Sequence, residues 1–134
     1  MRRTLASLVI GLSLLMGTAT GAWAQDFQKG VRAYQNGDYA TALREWRPLA
    51  EQGDATTQFN LGLMYDNSQG VVQDYKEVVK WVRLAAEQGH ATAQYNLGVM
   101  YKKGQGVVQD YKESVKWVRL AAEQGHATRR SHWV

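Results

Sequence analysis

The residues best suited to chemistry in this chain are a glutamate and a histidine three apart, written twice, as Glu87-x-x-His90 and Glu123-x-x-His126. That spacing imitates the Glu-x-x-His pairs with which helix bundles hold two irons, and it needs an unbroken turn to aim both side chains at one metal. Gly89 and Gly125 fall inside those turns and break them. A histidine near a helix C-terminus also has a simpler reason, since partial positive charge is welcome there. Two histidines 36 residues apart with no second ligand set are not expected to bind a metal.

Other chemistry is equally poorly supplied. No serine, cysteine or histidine constellation suggests a nucleophile, and no glycine loop has phosphate-binding spacing. Cysteine is absent, which excludes disulfides, thiol chemistry and a lipid-modified N-terminal cysteine. The expectation is a non-enzyme with no cofactor. Lys76, Lys80 and Arg83 recur as Lys112, Lys116 and Arg119. Glu77 and Glu87 lie within pairing distance, so this basic row reads as a solvated face and not as a nucleic-acid or lipid site.

The elements that must position these residues come from duplication. Ala55 to His90 and Ala91 to His126 are 36-residue copies identical at 29 positions, which places the chain among repeat architectures. Before them, 25–54 reads as a shorter, divergent hairpin in which Asp38-Tyr39 matches Asp74-Tyr75. Within each copy Val78, Trp81, Val82, Ala85 and Ala86, or Ser114, Trp117, Val118, Ala121 and Ala122, make one apolar helical stripe. Asp74 and Asp110 stand at the N-cap with Glu77 and Glu113 three residues on, as in a capping box. Gly89 and Gly125 end that helix. Gly62 and Gly98 lie inside the preceding helices, where a glycine costs ~1 kcal/mol and is explained by close approach of a neighbour. Pro48 is expected to bend the second helix of the opening hairpin.

The first 24 residues read as an export signal. Arg2 and Arg3 precede an apolar run from Leu5 to Met16, and Ala22-Trp23-Ala24 offers small residues for cleavage. The run is too short for the ~20 residues of a bilayer span. Cleavage there removes both arginines and lowers the net charge from +4 to +2, too little and too dispersed for a nucleic-acid partner. A periplasmic or secreted product with no membrane insertion after cleavage is expected.

The repeat resembles the Sel1-like repeat, a relative of the tetratricopeptide repeat. The residues that carry the resemblance are Ala55, Leu61-Gly62, Tyr65, Gly70-Val71, Asp74, Trp81, Ala85-Ala86 and Gly89. Ala91, Leu97-Gly98, Tyr101, Gly106-Val107, Asp110, Trp117, Ala121-Ala122 and Gly125 repeat them. The resemblance implies an all-α, right-handed α-solenoid of three antiparallel helical hairpins. Two departures stand out. Val78 puts bulk where the family keeps a small residue, so that hairpin need not pack at the usual distance. Ser68 replaces the turn glycine kept at Gly104, with Asn67 beside it able to turn left-handed.

The resemblance also implies a non-catalytic adaptor that holds a peptide or protein partner on its concave, first-helix face. On that face the partner-binding candidates are Phe59, Asn60 and Leu63, then Tyr95, Asn96, Val99, Lys102 and Lys103. Asn60 and Asn96 are poor mid-helix residues whose amides suit an extended backbone, or else tie neighbouring hairpins together. Asp66-Asn67 becoming Lys102-Lys103 gives the face an acidic middle and a basic end. The alternatives are a structural spacer that self-associates through its C-terminal end and, further off, a cell-wall or β-lactam hydrolase. In the tail, 127–134, Trp133 stands in register with Leu97, and a fold-back lid or partial cap is expected.

Overall fold

The structure, a computed structural model, describes residues 27–125. The export signal, His126 and the Trp133 lid lie outside the described residues. The described helices are α1 (27–35), α2 (Tyr39–Glu51), α3 (Ala55–Asp66), α4 (Tyr75–Glu87), α5 (Ala91–Lys103) and α6 (Tyr111–Glu123), and α2 to α6 each start at a side-chain cap. No strand occurs among the described residues. The fold is an all-α solenoid of helical hairpins. No helix of the described residues is long and apolar enough to cross a membrane.

The chain divides between Glu45 and Trp46 into two compact units. In the first, Asp38 caps α2 by accepting the Thr41 amide at 3.2 Å. The Thr41 hydroxyl and then its amide hold the Asp38 carboxyl below its ordinary value of 3.8, so this cap contributes above that pH and is lost as acid protonates it. Lys29 pairs with Glu45 at 3.0 Å, and Ala33 and Ala42 are buried. Pro48, on the later part of α2, is exposed and does not end the helix, which continues to Glu51.

The second unit is built around α4, which packs against both α3 and α5, while α5 packs in turn on α6. Val78, Val79, Val82, Ala85 and Ala86 of α4 join Ala93, Leu97 and Met100 of α5 in one buried cluster. Leu61 and Leu97 are fully buried, each stabilising the fold by about 1.5–3 kcal/mol. Gly62 allows α3 to approach α4 closely, since a Cβ there would stand 2.7 Å from Val82 Cγ2.

The caps agree with the sequence only in part. Asp74 and Asp110 each accept two backbone amides, from Lys76 and Glu77 and from Lys112 and Glu113. The returning half of the capping box is replaced: Glu77 Oε2 accepts Trp81 Nε1–H at 3.2 Å, which satisfies the polar end of a buried indole. His90 serves both helices: its amide donates to the Ala85 carbonyl at 3.1 Å and closes α4, while its side chain caps the helix after it. Its Nδ1 accepts the Ala93 amide at 3.1 Å, the role that Asp54 plays for Thr57 in α3.

The turn after α3 also differs from expectation. Asn67 keeps φ −97°, and Ser68 itself adopts the left-handed conformation at φ 54°. A serine there costs about 1–2 kcal/mol, while glycine would loosen the unfolded chain by about 0.4–1 kcal/mol. Ser68→Gly is therefore expected to stabilise the protein by about 0.5 kcal/mol, read as a rise in urea midpoint at constant slope. Ser68 is exposed, so no packing offsets the gain.

Candidate functional site

The joint between repeats sets where a groove can open. At each joint a buried glutamine reaches back to the end of the preceding hairpin. Gln58 Nε2 donates to the Ala50 carbonyl at 3.0 Å, and Gln94 Nε2 donates to that of Ala86 at 3.2 Å. Each glutamine then accepts from a later one, Gln88 Nε2 to Gln58 Oε1 and Gln124 Nε2 to Gln94 Oε1, both at 2.8 Å. Beside this ladder Arg47 donates to the Tyr65 hydroxyl at 3.4 Å and Arg83 to the Tyr101 hydroxyl at 2.7 Å. Gln94→Met keeps length and burial but removes both amide bonds. It is expected to cost about 2 kcal/mol, and a double-mutant cycle with Gln124→Ala should return about half of that as coupling.

With α3, α4 and α5 held this way, a groove of about 270 Å³ opens between them. Val78 and Val82 of α4 and Met100 of α5 form its floor, and Leu63 and Val99 its walls. Asp66 stands on one rim; Asn96, Lys103 and Gln105 stand on the other. Asp66 and Lys103 are exposed and make no ion pair with each other, so the opening carries an acid and a base on facing sides. The Asn96 amide is half-buried and has no hydrogen-bond partner among the described residues.

Of the eight candidates, Leu63, Asn96, Val99 and Lys103 converge on this groove. Phe59 does not: its ring stacks on His90 with centroids 4.8 Å apart and packs against the core cluster. Asn60 and Tyr95 are half-buried away from the groove lining. Lys102 points to a separate depression on α6. Neither Asn60 nor Asn96 ties hairpins together; Gln58 and Gln94 do that. Sequence reasoning passed over the two glutamines and Met100, and read Val78 and Val82 as helix packing without placing them in the groove. Gln58 and Gln94 recur at the same place in both copies three residues before Leu61 and Leu97, a polar residue on the inward face, and that was a readable sign.

The first Glu-x-x-His pair, Glu87 and His90, is not assembled as a ligand set, and the second includes His126, which lies outside the described residues. His90 spends Nδ1 on the α5 cap and its ring face on Phe59, and among the described residues no three His, Cys, Asp or Glu side chains could share a metal.

A family model described as Sel1 repeat matches residues 55–90 and again 91–126. Among solved structures the chain is similar to a Sel1 repeat protein from Oxalobacter formigenes, with 38% identity and a TM-score of 0.71 over 75% of this chain and 42% of that one. It is also similar to c5321, a protective antigen present in uropathogenic Escherichia coli strains displaying an SLR fold, with 43% identity and a TM-score of 0.74 over 84% of this chain and 25% of that one. The chain thus spans less than half the length of either. No curated protein matches it.

Proposed function

Because the chain belongs to the Sel1 repeat family, whose members generally act as protein-interaction scaffolds, we propose that it is an exported, non-catalytic adaptor that holds an extended segment of a partner protein in the groove between α3 and α5. The observation that carries this reading is the half-buried Asn96 amide, unpartnered among the described residues and set on an apolar floor. A peptide backbone offers the acceptor and donor that such an amide needs, and burying the amide unpaired against an apolar occupant would be unfavourable. The rims give direction: a basic side chain of the bound segment lies toward Asp66 and an acidic one toward Lys103. Export through the leader, with the mature chain starting at Gln25, completes the proposal.

The test is a photo-crosslinking residue placed at Val99 in the groove, compared with one at Val72, which is 88% exposed outside it. In intact cells the Val99 probe should give a discrete protein adduct that Asn96→Ala weakens, and the Val72 probe should not. The same adducts from both positions, unaffected by Asn96→Ala, would remove the groove from consideration. N-terminal sequencing of the cell product tests export separately, since a start at Met1 would contradict it.

A further inference from the structure

Helix α6 repeats α4 at 12 of 13 positions, yet the two bury matching apolar residues to different degrees. Val79 is 7% exposed beneath α5 and the following turn, and its counterpart Val115 is 54% exposed. Trp81 is buried, whereas Trp117 is half-buried. This face, uncovered among the described residues, holds a depression of about 400 Å³ with Val115, Val118 and Ala122 on its apolar part and Lys102, Tyr111 and Arg119 around it.

The α4–α5 joint shows what such a face receives. There Arg83 donates to a tyrosine hydroxyl and the Ala86 carbonyl accepts from a glutamine amide, while Ala93 and Leu97 are fully buried against the α4 valines. Arg119 and Ala122 stand 36 residues on from Arg83 and Ala86, so the face continues an interface already built once in this molecule. One feature is reversed. Asp66 borders the internal groove opposite Lys103, and the residue in its place beside α6 is Lys102.

We propose that the α6 face is a second docking surface, and that its occupant is an amphipathic helix of another protein with the α5 pattern of small residue, glutamine, leucine and tyrosine, but with acid where α5 carries Lys102 and Lys103. The apolar stripe seats the helix and Lys102 and Arg119 select the negative partner. Like-signed faces work against a second copy docking α6 to α6, because Lys102 and Arg119, which both line the depression, would meet their own copies.

The probe is a synthetic peptide of residues 90–105 bearing Lys102→Glu and Lys103→Glu, labelled for fluorescence anisotropy, with the unchanged 90–105 peptide as comparison. The full chain should bind the acidic peptide about tenfold more tightly than the unchanged one at low salt. Val115→Asp and Arg119→Glu, both at exposed positions and checked for unchanged helicity, should each abolish binding. Lys102→Asp should reverse the preference between the two peptides. Equal binding of both peptides, or of neither, overturns the proposal. So does a dimer by light scattering that Val115→Asp dissolves, which gives the face to a second copy. Peptide binding that emerges only in Trp133→Ala gives it to the chain's own tail and overturns the proposal as well.

Discussion

Gly106→Ala is expected to be the most damaging glycine substitution in the molecule. Gly106 has φ 70° in the turn after α5, and a Cβ there would run into the Tyr75 carbonyl oxygen, with the carbonyl carbon at 2.7 Å and Val79 Cγ2 at 2.9 Å. Two penalties add. A side chain in the left-handed region costs about 1–2 kcal/mol, and an overlap that only a backbone shift can relieve costs about 1–3 kcal/mol more. A total near 3 kcal/mol lowers the melting temperature of a domain this size by about 12–24 °C. The control is Gly89→Ala, with φ 92° and nothing within 4 Å of its Cβ. Its loss should stop at the conformational cost of about 1–2 kcal/mol. Thermal unfolding of the two variants side by side, followed by helix signal, decides the matter. Equal losses would mean that the second turn does not rest on the first turn of α4.

The second large effect is a difference between the two copies. A Cβ on Gly62 would lie 3.6 Å from the Val78 carbonyl oxygen, and one on Gly98 would lie 3.0 Å from that of Ser114. Both would meet a valine methyl at 2.7 Å. The copies differ in the second helix only at position 78 against 114, and the valine holds its hairpin wider. This is the altered spacing anticipated from the sequence. Gly98→Ala is therefore expected to cost about 2–3 kcal/mol, and Gly62→Ala about 1 kcal/mol less. In Gly62→Ala the displaced atom is a side-chain methyl, while in Gly98→Ala a backbone oxygen resists as well. Ser114→Val should open the second hairpin as Val78 opens the first. The double variant should then be less destabilised than the sum of its parts, by about 1 kcal/mol. Strict additivity in urea midpoints would show that the residue at this position does not set the helix spacing.

Both effects rest on residues whose type could be read from the chain and whose neighbours could not. The helical period, Asp74 and Asp110 as caps, and the interior glycines were legible because each is a local matter of a helix's own hydrogen bonds and one face. His90 was legible only in part for the same reason: its amide does close α4 on the Ala85 carbonyl, but its side chain acts elsewhere. Next to Gly89 it looks like the end of α4, and only the turn made by Gly89 at φ 92° brings its Nδ1 under the first amides of α5. Four of the eight candidate residues, Leu63, Asn96, Val99 and Lys103, line one groove because α3 and α5 turn those positions toward the same opening. The others part from it because helix rotation sends Phe59 to His90 and Lys102 to α6.

The sequence by itself determined the repeat, the family to which the chain belongs and the hairpins, since a 36-residue copy identical at 29 positions must fold each copy the same way. Only the tertiary structure decided what the copies do to each other. The Gln58–Gln88 and Gln94–Gln124 bonds join residues 30 apart, and Gly106 meets Tyr75 from the following repeat. Val79 of α4 and its counterpart Val115 of α6 end up buried in one place and, among the described residues, exposed in the other. Such outcomes depend on which surface lies opposite, and a helix's own pattern specifies its apolar face without specifying what will cover it.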